Sequence, residues 1–97
     1  MVYVLYNYKN DPEVFFQNVR DVLNWGAVAY PMRYEPLNAL EKNRYVEEQW
    51  TGEALEMVQD ARRVVGFGGA FPPYEALVQK FNQAHNFMEA FSLLPVH

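Results

Sequence analysis

Ala29-Tyr-Pro-Met-Arg-Tyr-Glu-Pro-Leu37 is a short β-prone run with a proline inside it, an arginine near its end and a second proline closing it. It is preceded by a helical pattern, and before that by another apolar run, Val2 to Tyr8. Strand, helix, strand at this spacing predicts a parallel βαβ unit with a right-handed crossover. Val2 to Tyr8 is apolar without clear alternation, which suits a strand buried on both faces, as in a parallel sheet. The second strand is read as Ala27 to Tyr34. Pro31 lacks an amide donor, so this strand belongs at a sheet edge or carries a bulge.

The helix between the strands has local start and stop signals. Asp11 can cap exposed amides, Pro12 fits the first helical position, and Glu13 complements the positive helix end. Phe15, Val19, Val22 and Leu23 lie on one helical face, with Phe16 beside them. Trp25-Gly26 closes the helix, because glycine takes the left-handed conformation without penalty.

Residues 35–49 are polar and irregular, with room for a short helical turn over 39–42. Thr51 then offers a cap, flanked by Trp50 and Leu55 as a hydrophobic staple. Leu55, Val58, Ala61 and Val65 recur at helical spacing and predict a helix over 52–65, stopped by Gly66. Gly66-Phe-Gly-Gly-Ala-Phe-Pro-Pro73 is read as a flexible hinge. Pro73 opens a further helix with Tyr74, Leu77, Val78 and Phe81 on its inner face, and Asn86 to Leu93 forms a last short helix before Pro95. The expected architecture is α/β: a partial barrel-like βαβ unit with two short parallel strands plus three to four C-terminal helices. It forms one domain over 1–97, made of the βαβ unit (1–37), an irregular connection (38–50) and a helical part (51–97).

Composition narrows the function classes. The chain has 97 residues, a hydrophobic fraction of 51% and an aromatic fraction of 16%, which suits a packed globule rather than a disordered segment. Eight Lys and Arg against twelve Asp and Glu leave a formal charge of −4, unsuited to phosphate-rich polymers, so no nucleic-acid partner is expected. There is no cysteine, so disulfides and thiolate-held metals or clusters cannot come from this chain. No run approaches the roughly 18 apolar residues of a membrane span, and no signal sequence opens the chain; the expectation is a cytoplasmic protein without a membrane partner.

The segment Leu5-Tyr-Asn-Tyr-Lys-Asn-Asp-Pro-Glu-Val-Phe15, followed by a helix and Tyr30-Pro-Met-Arg-Tyr-Glu-Pro-Leu37, resembles the late barrel strands of radical S-adenosylmethionine (SAM) enzymes. There a strand ends in a loop carrying Asp/Thr-Pro-Glu, and the next strand often carries a Pro-Met-Arg-like segment. Trp50 to Gly69 and the helical tail are similar to C-terminal regions of uncharacterised members. The resemblance implies a C-terminal segment that lacks the three-cysteine cluster motif. SAM and a [4Fe–4S] cluster would then belong only to a complete parent, with no cofactor in this chain. Its contribution would be part of a substrate- or SAM-facing barrel wall, because ligands sit at the C-terminal ends of barrel strands.

On that rim, Arg33 is the candidate for forking onto a carboxylate or phosphate, the alternative being a surface pair with Glu35. Asn7 and Tyr8 end the first strand beside it with hydrogen-bonding groups, although Asn7 serves an adjoining turn equally well. Under strict alternation Tyr30 and Met32 point opposite to Arg33, into a core. The Gly66-Phe-Gly-Gly run lacks the spacing of a phosphate cradle and is read as a helix stop. His85 and His97 are too far apart in sequence to read as a metal pair, Thr51 is committed to capping, and Ser92, in an apolar helix, is left as the one serine- or threonine-type hydroxyl for a serine-type triad.

Two strands alone make a marginal sheet. The missing strands come either from the remainder of a larger enzyme or from a second copy. The leading expectation is therefore a non-catalytic portion of a radical SAM-like enzyme. The alternative is a free-standing homodimeric interaction or scaffold domain, and the weakest is a small enzyme anchored on Arg33.

Overall fold

A computed structural model of the chain describes residues 1–8, 11–34, 46–64 and 66–92. It is a mixed α/β fold with the order β1 (Val2–Tyr6), α1 (Pro12–Asn24), β2 (Ala29–Arg33), α2 (Gly52–Val64), α3 (Glu75–Gln83) and α4 (Phe87–Phe91). β1 and β2 pair in parallel, Val2 opposite Ala29 and Tyr6 opposite Arg33. Bonds from Val2 N–H to Val28 O (2.7 Å) and from Tyr34 N–H to Tyr6 O (2.9 Å) bracket the ladder.

Those bonds set which main-chain groups face which way. In a parallel ladder alternate residues of each strand serve the partner. Residues 28, 30, 32 and 34 of the second strand region turn toward β1, and 29, 31 and 33 turn away. Pro31 therefore sits where its missing N–H costs the ladder nothing. Ala29 uses its outward side to bond Phe71 in both directions, at 3.0 and 2.7 Å, as an isolated antiparallel bridge. The stretch read as a flexible hinge thus closes the far edge of the sheet, and Phe71 is fully buried.

Helix α1 forms as its local signals require. The Asp11 carboxylate accepts from Val14 N–H at 2.9 Å, Pro12 occupies the first turn, and Gly26 closes the end at φ 77°. Its buried face is Phe15, Phe16, Val19, Val22 and Leu23. In α2 the Thr51 hydroxyl accepts from Ala54 N–H at 3.1 Å, while Trp50 and Leu55 are both buried. Gly66 follows α2 and bonds Ala61 O at 3.1 Å. A Cβ there would lie 2.5 Å from Arg62 O and 2.7 Å from Ala70 O, so only glycine fits. Helix α3 starts at Glu75, and Tyr74 is exposed outside it instead of lining its inner face; Leu77 and Phe81 carry that role. Val65, the turn over 39–42, Leu93, Pro95 and His97 lie outside the described residues.

The core is chiefly aromatic. Phe91 is its hub, with ring centroids 4.7 Å from Phe87, 5.3 Å from Phe81, 5.5 Å from Phe15 and 5.9 Å from Phe71. Tyr6 and Trp50 extend the network through Phe15. The offset and edge-on geometries are those favoured by ring quadrupoles. Polar ties hold the rim. Glu13 of α1 accepts from Phe87 N–H at 3.1 and 3.2 Å, fixing the start of α4. Asn24 and Asn82 exchange two amide bonds of 2.9 Å between α1 and α3.

All of this packing lies on one side of the sheet. Val4, Tyr6, Ala29 and Pro31 are buried, whereas Tyr3, Leu5 and Met32 are exposed and Tyr30 is half-buried. The expectation of strands buried on both faces does not hold, nor does core packing for Met32. The strands are amphipathic by position but not by composition, since tyrosine, leucine and methionine fill the side that no described helix covers.

Candidate functional site

Three features meet around the sheet: the rim at the C-terminal ends of the strands, the open face, and a groove along the outer edge of β1.

At the rim β1 ends on Asn7, whose φ of 59° lies in the left-handed region that asparagine tolerates better than most residues. This turn carries its side chain into the protein, where it is fully buried. The amide donates to Tyr34 O at 3.3 Å and accepts from Glu47 N–H at 2.6 Å. One side chain so ties the end of β1 to the end of β2 and to the approach to α2. Asn7 is a fold-holding group here, and its amide is turned away from any ligand at the surface. Tyr8 is exposed and stacks on Tyr34, centroids 4.7 Å apart at 27°.

Arg33 stands opposite Tyr6, on the side of the sheet that the helices cover, and is half-buried. The structure therefore separates the three candidates that strand order placed together. Tyr8 is at the surface of the rim, Arg33 turns toward the helical layer, and Asn7 is internal. Glu35, the alternative partner for Arg33, lies outside the described residues.

The open face runs Tyr3–Tyr30 and Leu5–Met32 in facing pairs. Tyr3 meets Tyr30 edge-on at 5.7 Å. The Arg62 guanidinium lies 5.3 Å over the Tyr30 ring and donates from Nε to Gly69 O at 2.8 Å, so α2 and the 66–70 turn frame one side of this face. No acidic residue belongs to either strand. Tyr3 and Leu5 do not stand out in the sequence. Their signal is the period of two that sets them against Val4 and Tyr6, hidden because all four side chains are apolar or aromatic.

Along the other side of β1, against α1, runs a groove of about 400 Å³. Asn18, Asp21, Val22 and Trp25 form its helical wall, a single stripe at helical spacing. Tyr3, Leu5 and Tyr8 line the strand side.

The remaining candidates are structural. His85 is exposed and pairs with Glu89 at 3.1 Å beside the Asn86 cap of α4. Ser92 ends α4, and its carbonyl accepts from Lys80 at 3.1 Å. Among the described residues no three His, Asp or Glu side chains are grouped to share a metal ion, and no helix is long and apolar enough to cross a membrane. A [4Fe–4S] cluster does not fit this chain's donor set, since it contains no cysteine.

No known protein family, curated protein or solved structure matches the chain.

Proposed function

We propose that this chain is an interaction domain that associates with a second copy of itself through the open face of its sheet. The observation that carries the reading is the one-sided packing: helices cover Val4, Tyr6, Ala29 and Pro31, while Tyr3 (64% exposed), Leu5 and Met32 (both 42%) stand uncovered. A second sheet packed face to face would bury them at the spacing sheets adopt.

The available area sets the strength. With aromatic side chains worth about 150–250 Å² each, Tyr3, Leu5, Tyr30 and Met32 offer roughly 350 Å². Adding the exposed neighbours Met1 and Tyr8 brings this to roughly 550 Å² per copy. Two copies then bury roughly 1,100 Å², in the range of weak, transient interfaces. The dimer is therefore weak and concentration-dependent, not obligate. Sedimentation across a dilution series reads it directly. Dimer formation should be lost in Met32→Lys, with thermal stability kept because Met32 is not in the core. A wild-type chain that stays monomeric at millimolar concentration refutes the reading.

A second reading rests on the parallel pairing of β1 and β2 across a helix. The unit would then be part of a barrel wall in a longer, radical SAM-like parent that supplies the missing strands, the cluster and SAM. In a β/α barrel the helix-free face lines the interior. That role would fall to Tyr3, Leu5, Tyr30 and Met32, with Arg33 on the helical side and Tyr8 at the rim. A monomer that associates only with a polypeptide supplying the missing strands would favour this reading over self-association.

A further inference from the structure

We infer that the groove between β1 and α1 binds an extended, basic segment of a partner polypeptide, which adds to the sheet as a third strand. The groove shares Tyr3, Leu5 and Tyr8 with the surface assigned to self-association, but its helical wall of Asn18, Asp21 and Trp25 lies outside that face, and the inference does not depend on self-association.

The strand side supplies the pairing. Val2, Val4 and Tyr6 direct their main-chain groups to β2, so those of Tyr3 point into the groove. A strand edge beside a helix is one of the recurring ways proteins capture extended peptides: main-chain bonds hold the ligand and alternate side chains meet the helix. Here the helix presents Asn18, Asp21 and Trp25 one turn apart. Trp25 is 72% exposed, although an indole is more often sheltered than this.

Charge selects the occupant. Asp21 is the one ionised side chain among the groove's lining residues, and the chain carries −4 overall. A lysine or arginine on the added strand would meet the Asp21 carboxylate and the face of the Trp25 indole, which attracts cations. An acidic segment would meet repulsion at the same place. The β1 of a second copy, Val2-Tyr-Val-Leu-Tyr6, carries no cation to answer Asp21 and is the poorer match.

The probe is the blocked peptide acetyl-Thr-Val-Thr-Lys-Thr-Val-Thr-amide, titrated into the full chain labelled with ¹⁵N. As a strand it places Val, Lys and Val toward α1 and its threonines on the other face. Shifts should concentrate at Tyr3, Asn18, Asp21 and the Trp25 indole N–H, and replacing the lysine by glutamate should weaken binding about tenfold. Asp21→Asn, at an exposed position, should weaken the lysine peptide roughly three- to fivefold and remove most of the charge preference. Tyr3→Pro removes the groove-facing donor without touching the β1–β2 ladder, as Pro31 does in β2, and should abolish binding where Tyr3→Val retains it. Three results overturn the inference: no shift at millimolar peptide, equal binding of the lysine and glutamate peptides, or a Tyr3 amide already protected in a peptide-free dimer.

Discussion

Replacing Asn7 by alanine removes the one buried polar side chain among the described residues and perturbs the backbone that carries it. Among the described residues two side-chain hydrogen bonds go, the 3.3 Å bond to Tyr34 O and the 2.6 Å bond from Glu47 N–H. At about 1 kcal/mol net for each, their loss costs about 2 kcal/mol. Alanine must then hold φ 59°, where its Cβ crowds the following carbonyl; relative to asparagine this adds about 1 kcal/mol. The sum, about 3 kcal/mol, is a large share of the 5–15 kcal/mol that holds a typical domain together. For a chain of this length it lowers Tm by roughly 12–24 °C. Urea unfolding followed by far-UV circular dichroism measures the loss, and an unchanged m-value would place it in the native state. Asn7→Gly separates the contributions: it keeps the backbone freedom and should cost about 2 kcal/mol. A loss below about 0.5 kcal/mol for Asn7→Ala would refute the clamp and return the side chain to the list of candidate ligand groups.

Two further substitutions probe the core and the closed edge. Phe91→Ala empties the hub between Phe15, Phe71, Phe81 and Phe87 and should cost about 3–5 kcal/mol by denaturant unfolding; a loss under 1 kcal/mol would mean that the rings do not share one packed core. Gly66→Ala drives a Cβ against Arg62 O and Ala70 O and should cost about 2 kcal/mol, with hydrogen exchange accelerated first at the amides of Ala29 and Phe71; unchanged protection there would sever the link between the turn and the sheet edge.

What could be read from the chain alone was what is decided locally. Asp11 and Pro12 start α1 and Gly26 stops it through groups within four residues of one another, and Thr51 caps α2 through Ala54 in the same way. The parallel strand pair followed from the length of that helix. What escaped depends on distant partners. Phe71 sits in a glycine- and proline-rich stretch that looks like a hinge, and only Ala29, 42 positions earlier, makes it part of the sheet. Asn7 has the composition of a turn residue, but its bonds reach 27 and 40 positions along the chain. Which side of an apolar strand is covered depends on where later helices settle, so Tyr30 and Met32 gave no sign that one would be half-buried and the other exposed.

The two edges of the sheet are unequal, and this limits what the protein can assemble into. The far edge of β2 is blunted twice, by the Phe71 bridge at Ala29 and by the missing donor of Pro31. The β1 edge keeps its Tyr3 groups outward. Strand addition as inferred above can therefore start from the β1 edge alone, because each molecule brings one receptive edge and one refractory edge. Copies with two receptive edges could stack edge to edge into a filament; with one, two copies pairing edge to edge would leave only refractory edges outward, and such growth would close at a pair.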